Sequence, residues 1–204
     1  AFVSDVLKGD FGRSFRYDEP CLGLVLKRLP ATLQLTAAAM LLAALVGLPI
    51  GALSAMRPGG FMDRFGKIFA LLGQSMPTFW VGIMLIFLFA VTLKVLPTSG
   101  TGGLKYLLMP AFTLAWYSMA ALTRLTRSAM LDVLDREYIK MARMKGIPES
   151  LVILKHALKN AIIPIITLFA IQFIALLGGT VIIETIFAWP GVGRLAIESI
   201  SARD

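Results

Sequence analysis

Residues 29–56 read LPATLQLTAAAMLLAALVGLPIGALSAM and contain no Asp, Glu, Lys or Arg. Three further runs also lack charged residues: 26 residues at 68–93, 18 at 106–123 and 24 at 160–183. A helix needs about 18 to 20 apolar residues to cross the hydrocarbon core of a membrane. The runs are continuously apolar and lack the two-residue alternation of a membrane β-barrel strand. The sequence therefore predicts an all-α integral membrane protein with four transmembrane helices.

We place these spans at about 30–55, 68–93, 106–129 and 161–187. Gly47 and Gly51 in the first span are spaced to permit the close approach of another helix. Pro164 is expected in the first turn of the fourth span, where its missing N–H costs little. Trp189 follows that span and suits a membrane interface. Residues 29–204 are thus predicted to form one membrane domain.

Composition excludes several other classes of protein. The chain is 57% hydrophobic and 16% charged, with a mean hydropathy of +0.80, which is unlike a soluble globular domain. Its single cysteine, Cys21, excludes an internal disulfide framework and a cysteine-based metal site. The net charge of +8 is typical of basic loops beside membrane spans, so no nucleic-acid partner is predicted.

The distribution of basic residues predicts the orientation. Residues 57–67 and 124–159 together hold 11 of the 20 Lys and Arg, eight of them in the second loop. Such clusters favour the cytoplasmic side. The loop 130–160 is therefore expected inside, and 1–28 and 188–204 are expected to be periplasmic loops. Because residues 1–28 need a preceding span to reach that side, we expect this sequence to be a fragment that lacks spans at both ends.

The basic loop has a helical pattern. Leu131, Leu134, Tyr138 and either Met141 or Ala142 recur at three- and four-residue steps, which predicts one apolar helical face. Gly146 stands where a helix ends in a left-handed residue, and Pro148 suits the start of a second helix. The residues alone leave two interpretations open: a helix lying on anionic lipid, and a docking surface for a cytoplasmic partner. A DNA-binding helix-turn-helix is disfavoured by the short membrane tether.

The stretch EYIKMARMKGIPESLVILKHALKNAIIPIIT, residues 137–167, closely resembles the coupling loop of bacterial ABC-transporter permeases of the dipeptide, oligopeptide and nickel import family. Lys140, Met141 and Ala142 stand where the general family pattern has E-A-A, and Gly146 matches its glycine. The HALKNAIIP run at 156–164 is typical of the peptide-import branch. Further stretches resemble this branch in the expected order: GDFGRS, RLPATLQL, LPTSG and ETIFAWPGVGRL.

The resemblance implies the type I ABC importer permease fold, with four of six spans present here. It implies a multi-pass subunit of the bacterial inner membrane that carries dipeptides, oligopeptides or similar small solutes. The expected partners are membrane lipid, a second homologous permease subunit, two cytoplasmic ATPase subunits and a periplasmic solute-binding protein. The residues expected to couple the permease to the ATPase are Glu137, Tyr138, Ala142, Arg143, Lys145, Gly146 and Ile147.

The sequence contains no G-x-x-x-x-G-K-[ST] phosphate-binding loop. ATP and Mg²⁺ are therefore expected on the partner ATPase, and this chain is expected to hold no cofactor or metal. It has one histidine and neither G-x-S-x-G nor H-E-x-x-H, so no catalytic residues are predicted. We expect a transport subunit that is not itself an enzyme.

Polar residues within the spans are candidates for the translocation path, because polar groups in a membrane tend to face protein or water. They are Gln34, Gln74, Gln172, Thr180 and Glu184. For each glutamine the alternative is an interhelical hydrogen bond, and Glu184 also suits an interfacial or inter-subunit position. The rival function is an ion-coupled secondary transporter or a channel subunit. The spans lack the central ionisable pair that is usual in such transporters.

Overall fold

The computed structural model describes residues 11–204, and the predicted loop at 1–28 lies partly outside this range. In chain order the helices are α1 (Cys21–Met56), α2 (Phe61–Ser75), α3 (Thr78–Thr92), α4 (Leu104–Leu134), α5 (Glu137–Met144), α6 (Glu149–Gly179), α7 (Val181–Ile186) and α8 (Val192–Ala202). The chain winds as a π-helix at Ile86–Thr92 in α3 and at Val152–Ala157 in α6. Within residues 11–204, α1, α4 and α6 are long and apolar enough to cross a membrane; α2 and α3 count as a fourth span if taken together.

The second span is not the single straight helix predicted for 68–93. It is broken between α2 and α3, whose axes meet at a bend of 102°. Pro77 has no N–H to donate, and its ring disfavours a helical conformation at Met76, which is extended with φ −85° and ψ 126°. The absence of charge over 68–93 did not reveal this break, because hydropathy alone does not report the backbone conformation before a proline.

Several helix ends also differ from the predicted bounds. Residues 21–28, predicted as loop, form the first two turns of α1. Since α6 begins at Glu149, Pro164 lies deep inside the helix and not in its first turn. The predicted loop 188–204 contains α8. Charged residues mark where a helix leaves the hydrocarbon core of the membrane. The helix itself can continue into the polar region as long as its backbone hydrogen bonds are kept.

The bundle is organised around α4, against which α1 and α2 pack. The predicted close approach at Gly47 and Gly51 is confirmed. A Cβ atom at Gly47 would lie 2.8 Å from the Met119 carbonyl oxygen, and one at Gly51 would lie 2.6 Å from that of Thr123. The absence of a side chain at these positions therefore lets the two backbones touch.

Helix α6 is much less covered by the rest of the chain. Only 11% of its most apolar stretch is buried, compared with 67% for α4. Large isoleucine side chains remain exposed along it: Ile163, Ile166, Ile171 and Ile174. Such a surface is stable only against lipid or another protein.

Candidate coupling surface and buried carboxylate clasps

The segment between α4 and α6 is a hydrogen-bonded corner. Helix α5 ends with Gly146 in the left-handed region at φ +74°, as predicted from its position. The Gly146 N–H donates to the Arg143 carbonyl (3.0 Å) and the Ile147 N–H to the Ala142 carbonyl (3.3 Å). These two bonds form a Schellman motif, which satisfies carbonyl groups that a helix end otherwise leaves free.

One face of α5 is buried against this chain. Ile139 is fully buried and Ala142 is 8% exposed, and both belong to the same apolar core as Val152 and Ile153 of α6. The predicted apolar face joined Ala142 to Tyr138, but Tyr138 is 42% exposed. The helix is also interrupted at 135–136, so Leu131 and Leu134 of α4 are not in phase with α5 as the predicted face required.

Charged and polar contacts join α5 to the start of α6. The Arg143 guanidinium donates to both carboxylate oxygens of Glu149, at 3.1 and 2.7 Å, and this pairing raises the pKa of Arg143. The Asn160 amide donates to the Tyr138 hydroxyl at 2.9 Å. Glu137 pairs with Lys140 at 3.0 Å. Arg143 thus pairs within the corner while its side chain stays 42% exposed, whereas Lys145 forms no ion pair among residues 11–204.

The corner exposes a set of apolar side chains that the sequence interpretation largely missed. Their exposed fractions are 52% at Met141, 78% at Met144, 49% at Leu151 and 64% at Leu154. We call these four residues the coupling surface. The sequence contains a three-residue spacing from Tyr138 to Met141 to Met144. This spacing predicts a shared helical face once α5 is known to begin at Glu137.

A buried carboxylate fastens α7 and α8 to α1. Glu184 is 0% exposed; it accepts hydrogen bonds from the Thr32 hydroxyl (2.7 Å) and from the Arg194 backbone N–H (2.9 Å). Thr32 also accepts a hydrogen bond from the Val192 N–H at 2.9 Å. We call a buried carboxylate that joins helices through such bonds a clasp. Because Glu184 is enclosed by its own chain, the expected interfacial or inter-subunit position is wrong.

The surrounding residues explain the ETIFAWPGVGRL motif. The Trp189 indole N–H donates to the Ala31 carbonyl at 2.8 Å, and the residue is 4% exposed, so Trp189 packs in the core of this subunit. A Cβ atom at Gly191 would lie 2.1 Å from a Glu184 carboxylate oxygen. A side chain at that position would displace the carboxylate, so this glycine is required by the clasp.

A second clasp centres on Asp63. From the sequence this residue was treated only as part of the loop at 57–67. Asp63 is 0% exposed and accepts hydrogen bonds from Arg127 of α4 and from the Gly59 N–H (2.7 Å). Lys67 pairs with it at 2.9 Å. Its signal in the sequence is an acidic residue in the first turn of a helix, four residues before a lysine.

The candidate path residues do not form one lining. Gln34 is exposed, whereas Gln74 and Gln172 are half-buried. The Gln74 amide donates to the Ala70 carbonyl of its own helix at 3.2 Å, so it does not form the alternative interhelical bond there. Thr180 is buried and lies one helical turn before Glu184. The Thr180 carbonyl oxygen accepts a hydrogen bond from the Glu184 backbone N–H. Thr180 and Glu184 therefore face the inside of this subunit.

Residues 47–204 match the family described as binding-protein-dependent transport system inner membrane component. This range includes Glu184, Asp63 and the whole coupling surface. The chain belongs to this family. It is a multi-pass membrane permease of an ABC importer type, and its family is one of transport components.

Curated relatives agree over the full length of the chain. It is 41% identical to the oligopeptide transport system permease protein AppB of Bacillus subtilis and covers 68% of that protein. It is 40% identical to the glutathione transport system permease protein GsiC of Pectobacterium atrosepticum and covers 66% of it. The chain thus spans about two thirds of the length of these relatives.

Solved structures show the same fold. The methionine ABC transporter MetNI, in inward-facing conformations, matches 87% of this chain and 81% of its own chain with a TM-score of 0.72 at 20% identity. An amino acid ABC transporter crystallised with histidines matches 100% of this chain and 85% of its own, with a TM-score of 0.69 at 20% identity. The type I importer permease fold expected from the motifs is confirmed.

Proposed function

We propose that this chain is the membrane-spanning permease of an ATP-driven importer of peptides in a bacterial inner membrane. The observation that carries the proposal is the corner at α5, which exposes the coupling surface while its opposite face is fixed to α6. A segment fixed in this way can transmit a displacement of the bound protein to both flanking spans. A mobile loop would change its own conformation and would not transmit the displacement.

The proposed partner at the coupling surface is a cytoplasmic ATPase subunit. Methionine side chains adapt their shape to a groove, and the neighbouring Lys145 suits a polar rim. Two such ATPases, a second homologous permease and a periplasmic solute-binding protein complete the proposed assembly. ATP and Mg²⁺ are bound by the ATPases, because this sequence lacks a phosphate-binding loop.

The proposed cargo is a peptide of a few residues. This rests on two relatives of about equal similarity, whose names specify oligopeptide and glutathione transport. Among the candidate path residues, we propose that Gln34 and Gln172 line a path formed with the second permease, since neither is buried in this subunit and, unlike Gln74, neither side chain is hydrogen-bonded to residues 11–204. Their amides can both donate to and accept from a peptide backbone.

The source of transport energy provides the main test. The purified full-length permease should neither bind nor hydrolyse ATP. Reconstituted with its ATPase subunits, it should support hydrolysis that increases when peptide-loaded binding protein is added. Uptake should stop when the ATPases carry an inactive phosphate-binding lysine. Uptake driven by a proton or sodium gradient without any ATPase would instead establish the secondary-transporter function.

The proposed orientation is tested with Cys21, the only thiol in the chain. Cys21 opens α1 and is half-buried, at the opposite end of that helix from the link to α2. A membrane-impermeant maleimide should label it from the periplasm in cells whose outer layer is permeabilised. As a matched control, Lys145→Cys in a Cys21→Ser background should react only after the inner membrane is broken. The reverse pattern would invert the topology.

A further inference from the structure

A basic cleft lies between α2 and α4, outside the coupling surface, and Gln74 is the one candidate path residue that its lining includes. It has a volume of about 380 Å³ and is lined by residues that include Lys67 and Gln74 of α2 and Arg124, Arg127 and Ser128 of α4. Arg124 to Ser128 belong to the last third of α4, so the cleft lies toward the end of the bundle that carries the coupling surface.

The charges in the cleft do not cancel. Asp63 is the carboxylate that pairs with Lys67 and Arg127. Arg124 is exposed, and its side chain has no hydrogen bond or ion pair with any residue of 11–204. Three cations beside one carboxylate leave an excess of two positive charges, and the exposed Ser128 hydroxyl adds a neutral donor. This combination suits an oxyanion that accepts several hydrogen bonds.

The position of the cleft along the membrane normal indicates which oxyanion it meets. Lys67 is the last charged residue before 26 uncharged ones, and Arg124 is the first after 18 uncharged ones. Both therefore stand where their helices leave the hydrocarbon, which is the level of lipid headgroups. Beside Lys67, α2 exposes Ile68 (58%) and Leu71 (66%), a surface that acyl chains would cover.

We propose that this cleft binds the phosphate group of an anionic phospholipid, with Arg124 as its principal contact and Lys67 as the second. Basic pockets between membrane helices on the cytoplasmic side are suited to such headgroups. A free phosphate ion shares the oxyanion chemistry, but it would leave the adjacent apolar surface of α2 uncovered. The bound lipid would bridge α2 and α4 next to the Asp63 clasp.

The test measures lipid affinity of the full-length permease, purified in detergent and stripped of lipid. Phosphatidylglycerol is added and its adducts are counted by native mass spectrometry, with phosphatidylcholine as the neutral reference. Arg124→Gln should weaken phosphatidylglycerol binding about five-fold, the loss that one surface cation implies. Arg124→Lys should retain most of the binding. Arg64→Gln, which removes an exposed cation of α2 outside the cleft, should leave binding unchanged.

Any of four results would overturn the proposal. Arg124→Gln could bind phosphatidylglycerol as tightly as the unmodified protein does. Arg64→Gln could lose as much affinity as Arg124→Gln, which would mean that the lipid is held only by diffuse electrostatic attraction. Inorganic phosphate at millimolar concentration could displace the lipid completely, which would define a free-anion site. Arg124→Gln could also lower the yield of the co-purifying second permease without changing lipid affinity, which would make the cleft a protein contact. Gel filtration of each variant establishes that it remains folded.

Discussion

Met144→Glu should abolish ATP-driven transport while leaving the permease folded and inserted. Met144 is 78% exposed on α5 and is the most exposed residue of the coupling surface, which is the proposed ATPase contact. A carboxylate placed in a closely packed apolar contact loses its hydration without gaining a partner. Loss of a central contact residue typically costs about 2 kcal/mol or more in binding, which is about a thirty-fold loss of affinity. The measurement is the amount of ATPase that co-purifies with the tagged permease, together with peptide uptake.

Met144→Leu is the matched control, because it keeps an apolar side chain of similar volume and should retain association and uptake. Ala142→Glu is a poorer probe than the sequence pattern indicated. Ala142 is 8% exposed against α6, so the charge would disturb the corner before any partner binds. A helix that merely lies on lipid would accept Met144→Glu with normal ATPase recovery. That outcome would remove the coupling assignment.

Gly51→Val should destabilise the bundle itself. A Cβ atom at Gly51 would lie 2.6 Å from both the Thr123 carbonyl oxygen and the Thr126 Cβ, and neither backbone can move without separating α1 from α4. Overpacking of this kind costs about 1 to 3 kcal/mol, and more where backbone is contacted. For a chain of this size, about 3 kcal/mol corresponds to a fall in Tm of about 6 to 12 °C. Thermal unfolding of the detergent-purified permease measures it.

Gly178→Ala is the control for this substitution. Gly178 is also inside a long helix, but a Cβ atom there meets nothing within 4 Å. The change should leave Tm unchanged or raise it slightly, because alanine favours helix more than glycine does. Equal falls in Tm for Gly51→Val and Gly178→Ala would mean that the loss of stability does not come from the contact between α1 and α4.

Much of the membrane architecture was predictable from local patterns. The uncharged runs predicted the apolar helices, because crossing hydrocarbon demands a continuous apolar stretch with its backbone bonded internally. The spacing of Gly47 and Gly51 predicted a close helix contact, and the position of Gly146 predicted a left-handed helix end. Each inference depends on residues within a few turns of one another, so composition and spacing carry the information.

The helix breaks and ends were predicted less well. The bend at Pro77 lies inside an apolar run, and α1 and α6 extend beyond the charges that mark the hydrocarbon boundary. Counting the periodicity from α4 put Leu131 and Leu134 on one face with residues of α5, although the turn at 135–136 resets the helical phase. A short interruption of one or two residues changes which side chains face outward, and sequence periodicity does not reveal it.

By itself the sequence determined the class of protein, the approximate spans, the corner at Gly146 and the family, since its motifs are continuous stretches of chain. Only the tertiary structure decided the roles of Glu184, Asp63 and Trp189. Glu184 meets Thr32 across 152 positions of sequence, and Asp63 meets Arg127 across 64. A buried carboxylate is stable only where distant donors converge on it, and that convergence is a property of the packed helices.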